Sequence, residues 1–201
     1  MPRNVERDQE LRKERRGQIL RASVELFATK GITVTKISDI AKKAGVSHGL
    51  VYNYFQSKEE ILATLIQEEL DGLKEHLQKV LKLDIDPKTK LIQVLHDWNK
   101  DKSYYTVFHQ IFVDQVMISE GVSDEVRESL KKKSDEGLQL LAKIFKAGQL
   151  SGDFIDGDPK QHALFFFSLI RALILAEARE GLKSPLDEKV LIYFIKSNLS
   201  E

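Results

Sequence analysis

The stretch from Lys36 to Lys58, KISDIAKKAGVSHGLVYNYFQSK, constrains this chain more than any other part of it. Ile37, Ile40, Ala41 and Ala44 stand at i, i+3, i+4 and i+7, the spacing that puts four apolar side chains on one buried stripe of a helix. Gly45 follows the last of them, where a helix C-terminus commonly needs a left-handed residue at no steric cost. Ser47 then offers its hydroxyl as a cap for a second helix, with Val46 and Val51 at the spacing of a hydrophobic staple. In that second helix Val51, Tyr54 and Phe55 face inward, which leaves Gly49, Tyr52, Asn53 and Gln56 on the far side and His48 at the exposed first turn. A helix so short and half polar is poorly explained by packing. A helix-turn-helix explains it, because the second helix of that motif enters the DNA major groove. Ser57 to Glu60 has the S-x-x-E form of a capping box and opens a third, long helix at once.

The run T-x-I-x-D-I-A-x-x-A-G-V-S-x-G-x-x-Y-x-Y-F-x-S-K-E-E-I-L, at Thr35 to Leu62, resembles the N-terminal signature of the TetR (tetracycline repressor) family of bacterial transcription regulators. The remainder of the chain resembles the family only in style, all-helical and without a diagnostic motif. One departure is Lys36, where the family often has a second Thr; a lysine there serves a phosphate as a charge instead of a hydroxyl. By resemblance, residue by residue, Thr35, Lys36, Ser47, Tyr54 and Lys58 would hold phosphates, while His48, Gly49, Tyr52, Ser38 and Asn53 would meet bases. That division suits the chemistry, since hydroxyls, lysines and helix-start N–H groups fit phosphate and Gly49 admits a close backbone approach.

The chain carries no cysteine, which excludes disulfide frameworks and thiolate metal or redox sites. Its N-terminus is charged and no apolar run approaches a membrane span, so a cytoplasmic protein without membrane contact is expected. Net charge is zero, but its distribution is not even: residues 1–60 carry +4 and residues 61–201 carry −4. A basic end on an acidic body directs one face toward a polyanion.

The expected fold is all-α: a helix-turn-helix domain over residues 1–60, with the motif at 36–55, and a helical ligand-binding and dimerisation domain over 61–201. Residues 1–12 are expected to fray ahead of a helix with Ile19, Leu20, Val24, Leu26 and Phe27 on its apolar face, ending at Gly31. The long helix should run from Ser57 to about Leu83, about 39 Å at 1.5 Å per residue, with Gly72 in its middle. Asp86-Pro87, Asp158-Pro159 and Ser184-Pro185 each place a cap before a proline at the first helical position. Further helices are therefore expected near 87–101, 103–119, 123–150, 159–181 and 185–199, with GQLSGDFIDG at Gly148 to Gly157 as a turn-rich connection.

The segment from Trp98 to Met117 is dense in aromatic residues. Tyr104, Tyr105, Phe108, His109 and Phe112 fall along one helical face, and with Trp98 they are candidates for the wall of an apolar effector cavity; core packing competes with that reading for Phe108 and Phe112. Ala163 to Ala178 is apolar nearly all round, and Val190, Leu191, Phe194 and Ile195 give the last helix a stripe of its own. Helices near 159–181 and 185–199 are thus the candidate homodimer interface, and a two-fold dimer would present two reading helices to a palindromic operator. Arg171 within that run requires a carboxylate or carbonyl partner. His76, His96, His109 and His162 are scattered, with no metalloprotease, phosphate-loop or nucleophile-elbow motif around them, so no catalytic residue, metal or cofactor is expected. A DNA-binding dimer governed by a protein partner, or by no ligand, is the competing reading.

Overall fold

The computed structural model describes residues 5–100, 104–180 and 188–196. Eight α-helices account for nearly all of it: α1 (Val5–Lys30), α2 (Ile37–Ala44), α3 (His48–Tyr52), α4 (Lys58–Leu81), α5 (Pro87–Lys100), α6 (Tyr104–Ile118), α7 (Asp124–Leu150) and α8 (Pro159–Glu180). A 3₁₀ helix follows at Glu188–Tyr193. Among the described residues, the only extended pairing is an isolated antiparallel bridge between Phe154 and Ile195.

Helix boundaries follow from caps. Gly45 takes φ 69°, and Val46 N–H reaches back to the Ala41 carbonyl at 3.0 Å, closing α2 in a left-handed turn. At α4, Glu60 N–H donates to Ser57 Oγ at 3.1 Å, while the Glu60 carboxylate accepts from Gln56 N–H at 2.6 Å, one residue earlier than the reciprocal half of a capping box. Asp86 caps α5, receiving Thr89 N–H at 3.0 Å and the Thr89 hydroxyl at 2.5 Å. Asp158 receives Lys160 N–H at 2.9 Å at the start of α8. Ser184-Pro185 lies outside the described residues.

Two expectations fail at the ends of the chain. Residues from Val5 onward do not fray but continue α1, because Glu, Gln, Arg and Lys lose little side-chain freedom in a helix and carry it upstream of its buried part. Of the α-helix expected over 185–199, the described residues 188–196 form the 3₁₀ turn and the bridge instead. Ile155 N–H donates to the Phe194 carbonyl at 3.0 Å and Lys196 N–H to the Asp153 carbonyl at 2.9 Å, so the chain here pairs with the α7–α8 connection. Its apolar stripe is used inside one protomer: Val190, Leu191 and Phe194 are all buried.

The chain forms two compact units. The first comprises residues 1–68 and 104–127, so α6, expected in the C-terminal body, packs within the N-terminal unit. Its core includes Ile19, Phe27, Ile40, Val51, Phe55, Leu65 and Phe112, and the rings of Phe27 and Phe112 stack with centroids 5.9 Å apart. The second comprises residues 69–103 and 128–201. Phe145 is its hub, with Phe154, Phe166 and Phe194 at centroid distances of 5.6, 5.8 and 5.5 Å. The connection after α7 is therefore more than a loop: it delivers the fully buried Phe154 into this core.

Two glycines differ in what they are for. Gly148 sits on α7 directly beneath the Phe154 ring, where a methyl group would overlap the ring atoms. Gly72 sits on α4 with nothing near the position of a Cβ. Gly72→Ala is thus expected to raise stability by about 0.5–1 kcal/mol, the usual penalty of glycine in an exposed helix interior. Gly148→Ala is expected to lower it by about 1–3 kcal/mol through overpacking. Urea denaturation followed by circular dichroism checks both, and a reversed order would contradict the packing described.

Candidate nucleic-acid interface

The turn between α2 and α3 sets what the reading helix can offer. Ser47 is the N-cap of α3, its Oγ accepting Leu50 N–H at 3.2 Å, and a hydroxyl that accepts in this way can still donate its own hydrogen to a phosphate oxygen. Val51 and Phe55 are buried beneath the helix. The opposite face exposes His48, Gly49, Tyr52 and Asn53. The His48 imidazole meets the Tyr52 ring edge to face with centroids 5.2 Å apart, which gives the two outward side chains a shared orientation. A Cβ on Gly49 would meet no protein atom within 4 Å. Nothing in the protomer requires glycine there, and the open space suits the approach of another molecule.

Around this helix the structure sorts the other sequence candidates. Lys36 and Ser38 are exposed at the start of α2. The Lys36 backbone N–H donates to Asp39 Oδ2 at 3.0 Å, and Lys30 Nζ approaches the same oxygen at 2.5 Å. Tyr54 is half-buried, with the Arg12 guanidinium over its ring at 5.9 Å, and Arg16 lies over Phe55 at 5.5 Å. Neither arginine was marked by spacing alone, because the pairing joins residues some forty positions apart.

Two phosphate candidates do other work. Thr35 is 1% exposed and its hydroxyl donates to the Gly31 carbonyl at 2.7 Å, so its side chain braces the α1–α2 loop and presents nothing to DNA. Lys58 Nζ donates to the carbonyls of Ile32 at 2.8 Å and Thr33 at 3.2 Å, tying the start of α4 to that same loop. Of the effector-cavity candidates, Phe112 is fully buried against Phe27 and Phe108 is 6% exposed. Phe112 thus belongs to the core of the N-terminal unit, as the competing reading of that face expected. Trp98 stands on α5 and Tyr104, Tyr105 and His109 on α6, but their side chains lie outside the described residues.

The electrostatics of the loop favour an ionised Asp39. The Lys30 ammonium, hydrogen-bonded to its carboxylate, and then the Lys36 backbone N–H hold its pKa below the ordinary value. A carboxyl whose pKa is lowered on folding contributes stability that is complete above its unfolded pKa and is lost as pH falls through the folded one. The melting-temperature difference between the native protein and Asp39→Asn should therefore be largest near neutral pH and shrink as the pH falls below the ordinary aspartate range. A difference independent of pH would show that the ion pair contributes nothing. The two lysines separate in the same way. Lys36→Ala should lower the salt slope of DNA binding by about 1 without altering the melting temperature. Lys58→Ala should lower the melting temperature by leaving two loop carbonyls without their donor, and a change confined to the salt slope would return Lys58 to the phosphate set.

Comparison with known proteins follows the same stretch. The profile of "Bacterial regulatory proteins, tetR family" matches residues 19–65. The fatty acid metabolism regulator protein of Bacillus subtilis (strain 168) is 30% identical over 140 residues, covering 70% of this chain and 71% of that protein. The HTH-type transcriptional regulator TtgR of Pseudomonas putida is 27% identical over 179 residues, covering 85% of this chain and 83% of the relative. Among solved structures, the transcriptional regulator FadR from Bacillus subtilis in complex with stearoyl-CoA superposes with a TM-score of 0.68 at 26% identity, covering 87% of this chain and 95% of that one.

Proposed function

Since this chain belongs to the tetR family of bacterial regulatory proteins, we propose that it is a homodimeric repressor whose hold on a palindromic operator is released by a fatty acyl-coenzyme A. It is a ligand-responsive, sequence-specific DNA-binding transcriptional regulator with an all-helical fold. The observation that carries the DNA half of the proposal is the outward face of α3. There a capped helix start, an uncrowded Gly49 and the paired rings of His48 and Tyr52 are all exposed over a buried Val51 and Phe55. Residues 1–60 are the proposed DNA-binding domain, with Lys36, Ser47 and Tyr54 on phosphates and Ser38, His48, Gly49, Tyr52 and Asn53 toward bases. Residues 61–201 are the proposed domain for effector and second copy.

The acyl-CoA proposal is supported by the relative that regulates fatty acid metabolism and by the stearoyl-CoA held in the FadR structure. Dimerisation is supported by apolar surface that one protomer leaves uncovered: Leu164 and Phe165 on α8, and Ile192 and Tyr193 on the 3₁₀ helix, are 45%, 52%, 74% and 69% exposed. This surface replaces the stripe expected of a final α-helix. The proposed two-fold dimer would offer one α3 helix to each of two successive major grooves, which repeat about every 34 Å. The relatives are transcriptional regulators, and a role without catalysis or cofactor goes with them. No helix among the described residues is long and apolar enough to cross a membrane, and the cytoplasm is the proposed location.

The test begins by selecting a tight-binding duplex from a random library and following its fluorescence anisotropy. Stearoyl-CoA should release the native protein from that duplex at concentrations where coenzyme A or stearate alone does nothing. Tyr52→Ala should fail to bind the duplex while keeping its helical content, and Phe165→Glu should yield monomers on size exclusion with weakened binding. Selection that yields no preferred duplex would refute the DNA reading, and indifference to stearoyl-CoA and its shorter homologues would refute the effector.

A further inference from the structure

The five residues Gly31 to Thr35 join α1 to the first helix of the helix-turn-helix, and the structure holds them from several sides. Thr35 donates inward to the Gly31 carbonyl at 2.7 Å. Lys58 on α4 donates to the Ile32 and Thr33 carbonyls. Ile32 is buried at 2% exposure. The remaining hold comes from far along the sequence. Thr33 Oγ1 shares a hydrogen bond of 3.2 Å with Ser119 Oγ, at the C-terminal end of α6. Two residues on, Gly121 presses against the same threonine: a Cβ there would lie 2.8 Å from Thr33 Oγ1 and 3.6 Å from Thr33 Cβ.

The turn that makes this contact is itself built. Arg127 Nη1 donates to the Ser119 carbonyl at 2.8 Å, Val122 N–H donates to the same carbonyl at 3.2 Å, and Val122 is buried. Gly121 does not have a positive φ, so its backbone would accept alanine; only the proximity of Thr33 excludes a side chain. At the other end of the joint, Lys36 closes the loop and is the N-cap of α2. A shift at the end of α6 therefore reaches α2 through the four residues Thr33 to Lys36, without passing along α4.

We propose that the Ser119–Val122 turn is a latch on the Gly31–Thr35 loop, and that Thr33, Ser119 and Gly121 are positioning residues that set where α2, and through Gly45 the reading helix, sits for DNA. This rests on the DNA-binding reading above. It gives α6 a direct line to the reading head, in which the threonine hydroxyl and the bare glycine are matched to each other.

The matching makes the latch testable by a mutant cycle in the full-length protein. Gly121→Ala forces its new methyl against Thr33 Oγ1; adding Thr33→Ala removes that oxygen and leaves an ordinary 3.6 Å contact. Hydrogen exchange read by mass spectrometry needs no DNA. Gly121→Ala should speed exchange across residues 36–44 by about tenfold while residues 61–66 are unchanged, and the double variant should be markedly slower than Gly121→Ala. Affinity for the selected duplex should fall by about tenfold in Gly121→Ala and recover in part in the double variant, which relieves the overlap but lacks the Thr33–Ser119 hydrogen bond. Unchanged exchange in Gly121→Ala, or a double variant as fast as the single one, would overturn the latch. Exchange that responds and recovers while affinity stays constant would also overturn it, since the loop would then position nothing that DNA reads. If the native protein binds no duplex, the DNA-binding reading fails, and the exchange cycle still reports on the latch.

Discussion

A single left-handed residue sets the geometry on which this protein depends. Gly45 at φ 69° ends α2, and Ser47 starts α3 two residues later, so two short helices are fixed at an angle with almost no connecting chain. Any other residue at Gly45 would pay for the left-handed conformation or relax it, and relaxing it would turn α3. Because α3 has only five residues, it has no stability of its own to resist. Its orientation is borrowed entirely from the turn behind it, the Ser47 cap, and the burial of Val51 and Phe55 beneath it.

That dependence explains why the motif was legible in the sequence and its supports were not. Glycine and serine at fixed offsets from an apolar stripe signal a turn by local chemistry, and the resulting helices lie where spacing puts them. Thr35 and Lys58 belong to the same stretch, but their roles are decided by atoms that adjacency does not reveal: the Gly31 carbonyl for one, those of Ile32 and Thr33 for the other. A hydroxyl and an ammonium are suited to phosphate and to a carbonyl alike. Which partner each finds depends on whether the backbone curls back to meet it, and only the folded loop shows that it does.

A similar ambiguity governs the apolar stretches. Periodicity identifies a stripe that must be covered without saying by what. Phe112 is covered by Phe27, more than eighty residues away, which places it in the core of the N-terminal unit. Leu191 and Phe194 are covered by the core around Phe145, and Val190 beside them is buried within the same protomer. The same segment leaves Ile192 and Tyr193 uncovered, because a 3₁₀ turn distributes neighbours differently from the 3.6-residue helix that the stripe suggested. Proline and capping residues marked most helix starts correctly; the last segment departs because its backbone N–H groups pair with the α7–α8 connection instead of continuing a helix.

The division into two units bears on how a ligand can govern DNA binding. The chain passes between the units at three places: between residues 68 and 69, within α4; between 103 and 104; and between 127 and 128, within α7. Two of these crossings lie inside helices, α4 and α7, so the backbone hydrogen bonds of a helix continue across the boundary at both. A ligand shifts such a system only by the difference in its affinity for the arrangements available, however tightly it binds either one. An effector must therefore bind better to an arrangement other than the one that suits DNA. The part of the head that answers to α6 is already specified by Phe27 against Phe112 and by Thr33 against Ser119. Packed rings and close polar contacts of this kind have few intermediate arrangements, so α6, which carries Phe112 and leads into Ser119, is tied to the N-terminal unit at both places.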